Sequence, residues 1–332
     1  MLVNNAYVNR NPEYVGVEVQ IGIVPTIVAV VPLVYHVPTV YVTGSILTVL
    51  YSNAIKKKDS TLNSHFVLAI VLHQFSTFCF MLTDYLTYRI PVTGILTEWC
   101  ASQDPGHLIK VIFWATTYFF LLTNDFPFLM AVLRLVLTYY PTTCDKINRN
   151  IIRFSIPFIL FSPFAFTWIL FPALGVCRQA PSPFSFGSIY LHFIDSWHGL
   201  KVFAWSFVNC IFMCIASIIA NAILYRELRR LGTNQRQSKR LQKAELTLTL
   251  TSISMLICYL SHTIFLVMFG FFPAYTPYVS MLRSFASDLD TVAIPWIFFL
   301  VHPAFREHTN SFKKCLFGAM PSKVEARRGA TF

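Results

Sequence analysis

Seven stretches of this 332-residue chain are long and apolar enough to cross a bilayer. A membrane helix needs about 20 apolar residues to span about 30 Å of hydrocarbon. The stretches run over about 24–51, 64–86, 108–138, 151–174, 201–225, 246–271 and 277–301. Strands of a membrane barrel would instead be segments of about ten residues that alternate apolar and polar. Runs such as "VIFWATTYFFLLTNDFPFLMAVL" do not alternate. In lipid each helix satisfies its own backbone groups, so the sequence predicts an all-α polytopic membrane protein. Composition agrees: 55% of residues are hydrophobic and 12% are charged, against about a quarter charged in soluble domains. A water-soluble enzyme is excluded on those grounds.

Three regions follow: a short N-terminus over 1–23, a seven-helix domain over 24–301 and a tail over 302–332. Residues 1–23 hold no basic segment followed by a compact apolar core, so the first span is expected to act as its own insertion signal. The net charge of +11 would suggest nucleic acid on a soluble chain, but its distribution gives another meaning. Lys56, Lys57 and Lys58 lie in one loop, and Arg134, Lys146, Arg149 and Arg153 border the next loop on that side. Seven more basic residues lie in 226–245 and six in the tail. The opposite side holds Arg10, Arg89, Lys110, Arg178 and Lys201. The positive-inside bias therefore predicts an external N-terminus and a cytoplasmic C-terminus. The basic face suits an anionic inner leaflet, and nucleic acid is not needed as a partner.

Short motifs narrow the class. Span three ends "VLRLVLTYYP", with Arg134 just past the apolar body and Pro141 seven residues on. This is similar to the DRYxxVxxP signature of rhodopsin-like G-protein-coupled receptors, with Leu133 and Leu135 replacing its Asp and Tyr. Taken alone, Arg134 reads better as a snorkelling Arg at a helix end. Span seven ends "AIPWIFFLVHPAFREH". Pro295 stands where the NPxxY motif has its Pro, Ile294 replaces the Asn and Phe298 the Tyr. Phe305, Phe312 and Leu316 share one stripe of a basic segment, as a short amphipathic eighth helix at the membrane surface should. Cys315 in that segment is a palmitoylation candidate.

The combination resembles the nematode serpentine chemoreceptors, most closely serpentine receptor class gamma. It rests on "IPWIFFLVHPAFR", "LRLVLTYYP", "CRQAPSPFSFGSIY" and "KAELTLTLTSISM" and covers spans two to seven, leaving out residues 1–23. The resemblance implies a transmembrane signalling receptor in the plasma membrane, with the sensory cilium as its specific site. It also implies a small-molecule ligand, a heterotrimeric G protein docking beside Arg134 and Pro141, and no cofactor. A clasp between the top of span three and the second outer loop would join Cys100 to Cys177. These are the two cysteines on the outer side, where oxidation favours pairing over free thiols.

Charges near the bilayer centre are costly and by default mark function. Asp125, Asp288 and Asp290 fall near mid-span. Asp84 lies at a depth similar to Arg283 and is its preferred partner, while Asp125 is expected to bond to backbone or to Asn124. Leu72 occupies the position where rhodopsin-like receptors carry a sodium-binding Asp. A ligand pocket is expected in the outer half, where Asp84, Trp114, Tyr118, Trp197, His198 and Arg283 are the candidates.

Other functions fit less well. No GxSxG elbow, HExxH pair or cluster of metal-binding residues is present, which argues against an enzyme or a metal centre. Span seven has no Lys for a retinal Schiff base. A transporter or ion channel lined by the intramembrane aspartates is the stronger rival, but no span shows the Gly/Pro-broken pair of inverted repeats.

Overall fold

In a computed structural model, residues 7–16, 22–56, 64–194, 202–232 and 239–301 are described. The architecture is a bundle of long helices: α1 (Ile23–Lys56), α2 (Ser64–Asp84), α4 (His107–Tyr139), α5 (Cys144–Thr167), α6 (Val202–Gly232), α7 (Lys239–Phe271) and α8 (Thr276–Val301). A short helix, α3 (Thr97–Ser102), precedes α4. Among the described residues, six helices (α1, α2 and α4–α7) are long and apolar enough to cross a membrane. The remaining long helix, α8, has 26 residues and carries Arg283, Asp288 and Asp290. It packs against α1, α2 and α7, so it belongs to the same bundle. The expected surface helix after span seven, with Cys315, lies outside the described residues.

The central helix is α4, with α2, α5 and α6 around it. Its apolar stretch is 72% buried, against 17% for α5, whose Phe154, Phe158 and Phe161 face outward. A helix apolar on all sides needs no amphipathic stripe when its outer face meets lipid. The main core joins Phe126, Leu129 and Leu133 of α4 to Ile70 of α2, Met255 of α7 and Phe298 of α8. Prolines inside α1, α4, α5 and α8 are accommodated, because neighbouring helices and hydroxyl side chains compensate the freed carbonyls. Ser162 Oγ, for example, donates to Ile159 O, the carbonyl four residues before Pro163.

Two features at one end of the bundle depart from plain helix. The first is a π-helical turn over Tyr85–Arg89 that continues α2, followed by a 3-10 turn over Pro91–Thr93. Pro91 cannot donate a backbone bond, which ends the α-helical ladder there. Gly94, at φ 84°, reverses the chain, a conformation that favours glycine.

The second is an antiparallel hairpin, β1 (Leu174–Gln179) and β2 (Ile189–Ile194), running in register from Leu174 opposite Ile194 to Gln179 opposite Ile189. The apolar-length reading of the sequence predicted helices alone. Gly175 exchanges two backbone bonds with Gly106, at 3.0 and 3.1 Å, so β1 lies directly against the start of α4. A Cβ on Gly175 would sit 2.2 Å from the Lys110 nitrogen, so only glycine allows this approach.

The N-terminal segment straps over the hairpin. Val8 N donates to Cys177 O at 3.1 Å, and Asn9 Oδ1 accepts from Cys177 N at 2.7 Å. Asn9 Nδ2 reaches the carbonyls of Cys100 and Gln103, and Arg10 pairs with Asp104. Val8 and Tyr14 are buried, and Tyr14 stacks on Phe186. Residues of this short N-terminus are thus part of a second small core with Cys100, Cys177, Ile189 and Leu191.

Candidate functional site

Beneath the hairpin, two arginines and two aspartates form one buried cluster. Arg89 donates from Nε to Asp84 Oδ2 at 2.8 Å. Its guanidinium fork meets Asp288 through Nη2–Oδ1 at 2.7 Å and Nη1–Oδ2 at 2.9 Å, and Nη2 also reaches Ser284 O. The planar fork of Arg matches a carboxylate in this bidentate way. Arg283 Nη2 donates to the other oxygen of Asp84 at 3.0 Å. On α1, Tyr35 donates to Asp288, and His36 Nε2 lies 3.0 Å from Asp288 Oδ1. The cluster ties α1, the end of α2 and α8 together, and its two guanidiniums balance its two carboxylates.

The π turn makes this possible. Residues five apart on an α-helix lie roughly 140° apart around the axis, so Asp84 and Arg89 would diverge. In a π turn the i→i+5 pairing brings them to one face.

The sequence reading placed Arg89 among the external loop charges. In the structure its side chain is 1% exposed inside the bundle. Nothing in hydropathy marks a π turn; the one available signal was the pairing of Asp84 and Arg89 just ahead of Pro91. Tyr35 and His36 were missed as well, because on an apolar span they read as ordinary packing residues.

A second polar group sits at mid-bundle. Asp125 accepts from Ser162 Oγ on α5 at 3.0 Å and from Asn209 Nδ2 on α6 at 3.4 Å. The sequence pointed to backbone or to Asn124 as its partner; the structure supplies Ser162 and Asn209. Successive residues on a helix point about 100° apart, so Asn124 turns instead to α7. There Tyr259 donates to its carbonyl, and His262 Nδ1 lies 3.2 Å from its side-chain oxygen. Asp290 does not meet Arg283; it lies 3.1 Å from Nε2 of the fully buried His73.

At the opposite end, Arg134 is 5% exposed and lines a small cavity of about 10 Å³. Ser217 and Asn221 of α6 and Thr251, Met255 and Tyr259 of α7 line it too. Pro141 lies in the exposed turn after α4, where its carbonyl accepts from Cys144 Sγ. Another small cavity, about 30 Å³, is apolar and opens between α1, α2 and α8 beside Pro295 and Phe298.

Cys100 and Cys177 are joined by a disulfide that anchors β1 to α3. Of the proposed ligand residues, Asp84 and Arg283 come together, while Trp114 and Tyr118 turn toward α5. Trp114 Nε1 donates to Thr167 Oγ1 at 3.0 Å, and the Tyr118 hydroxyl donates to Leu160 O at 2.8 Å. Trp197 and His198 lie outside the described residues. On the hairpin, burial among Phe113, Tyr190 and Phe193 depresses His192 to about 3, and the Arg178 charge adds to this. Burial raises the Tyr190 phenol. Among the described residues, no group of three or more His, Cys, Asp or Glu side chains is placed to hold a metal.

The chain resembles known proteins along most of its length. The family model described as "Serpentine type 7TM GPCR chemoreceptor Sru" matches residues 8–308. "Serpentine receptor class U-26" of Caenorhabditis elegans is 34% identical over 266 residues, covering 79% of this chain and 91% of the relative. "Serpentine receptor class gamma-5" of the same organism is 25% identical over 290 residues, covering 83% of each. The crystal structure of squid rhodopsin superposes with a TM-score of 0.51 at 16% identity, over 93% of this chain and 87% of that one. That likeness shows the G-protein-coupled-receptor fold. The expected class gamma gives way to Sru, and the match extends into the N-terminal strap from residue 8, which the sequence motifs had left out. Two classes share the bundle pattern, so motifs at the ends of spans could not separate them. The family is one of nematode receptors in the membrane rather than enzymes. With a family model spanning residues 8–308 and a relative 34% identical over about four fifths of this chain, the protein belongs to the serpentine-type 7TM GPCR chemoreceptor Sru family.

Proposed function

We propose that this protein is a chemosensory receptor whose hairpin end faces outward, with α8 as the seventh span. A small molecule acts at the outer half, around Asp84 and Arg283, and a heterotrimeric G protein docks at the Arg134 end. The basic loops of that end lie against the anionic inner leaflet, and the sensory cilium is the specific location.

The observation that carries this reading is the clamp between α4 and α7. Tyr259 bonds the Asn124 carbonyl and also walls the cavity that holds Arg134. Outward movement of α7 would break the clamp and widen the cavity in one step, coupling the two ends of the bundle. A ligand drives such a shift only by binding the open state better than the closed one. The transporter or channel reading finds less support. Asp84 and Asp288 are engaged by arginines, and Asp125 by Ser162 and Asn209.

The test is G-protein activation in cells with a calcium readout, for the native chain and Arg134→Ala, together with an epitope at residue 1. Loss of signalling with an epitope accessible on intact cells is expected. Undiminished signalling would remove Arg134 from coupling, and a hidden epitope would reverse the topology.

A further inference from the structure

Within the charge cluster the two arginines are held unequally. Arg89 spends Nε and both terminal nitrogens on Asp84, Asp288 and Ser284 O. Arg283 makes one bond, from Nη2 to Asp84, and its Nε is buried without a hydrogen-bond partner. Its guanidinium lies between the rings of Phe80, 5.7 Å away, and Phe265, 4.8 Å away. It is also the most open of the two arginines and two aspartates: its side chain is 13% exposed, against 1% for Arg89 and Asp84 and 4% for Asp288. A buried donor left unpaired is costly, and an acceptor that reaches it recovers that cost.

Charge decides which acceptor fits. The two guanidiniums already balance the two carboxylates, so a bound anion or cation would leave a net charge in a low-dielectric site and pay desolvation without a counter-ion. A carbonyl oxygen satisfies the donor with no such penalty. The flanking rings belong to a larger aromatic cluster that includes Phe120, Phe166 and Phe207, which suits an apolar body. The hairpin and the N-terminal strap cover this end, with Val8, Cys100 and Cys177 wholly buried.

We propose that Arg283 recognises an uncharged, largely apolar ligand through one carbonyl-type acceptor placed on its Nε between Phe80 and Phe265. This rests on the receptor reading above and names the ligand class of that site.

The test uses the full chain in lipid nanodiscs. The probes are a series of methyl ketones plus acetophenone, with the carboxylates, primary amines and hydrocarbons of matching carbon count. Thermal stabilisation reports binding, and the infrared carbonyl stretch of a carbon-13-labelled ketone reports its hydrogen bond. Ketones should bind about tenfold more tightly than the hydrocarbons, the worth of one hydrogen bond to a charged donor. Carboxylates and amines should not stabilise the protein. The bound carbonyl should shift to lower frequency than in hexane. Arg283→Met should abolish the preference of ketone over hydrocarbon. The infrared measurement on the unmutated chain decides the matter if that variant does not fold. Failure of every ketone to bind, an unshifted carbonyl, or tighter binding of an acid or amine would overturn the proposal. Ketones that bind in this way without activating a G protein would instead count against the receptor reading. Acids or amines that activate it would spare that reading and sink this one.

Discussion

Arg89 Nη2 and Asp288 Oδ1 lie 2.7 Å apart across 199 residues of sequence, both buried, and their contact locks the end of α2 to the middle of α8. Breaking one side of a buried pair leaves an uncompensated charge and costs about 3–5 kcal/mol, whereas removing both partners costs less. Arg89→Leu and Asp288→Leu should each lower thermal stability and surface expression sharply. The double variant should recover part of the loss. Equal damage in all three, measured by thermal unfolding in detergent, would mean that the pair is not coupled.

The close approach of β1 to α4 makes Gly175 irreplaceable. In Gly175→Ala the new Cβ would meet backbone at 2.2 Å, which no rotamer change relieves. We expect a destabilisation of about 1–3 kcal/mol or more from overpacking, with the hairpin lifted from α4. Hydrogen exchange at Gly106, whose amide bonds Gly175 O at 3.0 Å, should accelerate. Native protection there would contradict this.

The Cys100–Cys177 bridge closes a loop across a sequence separation of 77 residues. Chain-entropy reasoning gives such a loop about 4–5 kcal/mol of stabilisation. Cys100→Ser should therefore lower the unfolding temperature of the non-reduced protein, and reductant should add nothing further. A reductant effect that persists in Cys100→Ser would point to another bridge.

His192 gives the hairpin a pH dependence. Its folded value, about 3, lies below the ordinary 6.5, so the unfolded chain binds the extra proton first. Stability is then full above about pH 6.5 and falls as the solution is acidified toward 3. Between pH 7 and 5 this group should cost about 2 kcal/mol. His192→Phe should flatten that part of the stability curve, read by thermal unfolding at each pH. An unchanged slope would assign the dependence to other groups.

Asp125 offers a contrast with the ionic cluster. Its partners Ser162 and Asn209 are neutral, so Asp125→Asn keeps an acceptor at the same place. The loss should stay near or below about 1 kcal/mol. Asp125→Leu strands the buried Asn209 amide, while Ser162 keeps its bond to Ile159 O, and should cost about 2 kcal/mol. Comparable unfolding temperatures for the two variants would show that the hydrogen bonds carry no weight.

Much of the bundle was legible because lipid leaves the backbone few choices. The apolar lengths of α1, α2 and α4–α7 marked them as spans, and the excess of Lys and Arg in alternate loops supplied an expected orientation. The nearness of Asp84 and Arg283 followed from equal depth on two apolar spans. The hairpin was not legible. Residues 174–194 mix Gly, Pro and polar groups, and they hold strand form through Gly106, Val8 and Asn9, all distant in sequence. The facing of Trp114 and Tyr118 toward α5 depends on the rotation of α4, which an all-round apolar helix does not announce.

The sequence by itself determined that this chain is a membrane-embedded helical bundle, because hydrocarbon thickness and backbone hydrogen bonding translate directly into apolar length; its likeness to serpentine receptors rested on short motifs at the ends of the spans. Tertiary structure alone decided that Arg89 and Asp288 join the expected pair of Asp84 and Arg283. Arg89 reads as a loop cation until the π turn swings it inward beside Asp84, and Asp288 finds it only because α8 packs next to that turn. Hydropathy counts residues along the chain, whereas a charge pair depends on helix rotation, and one extra residue in a helical turn is enough to change which side chains face each other.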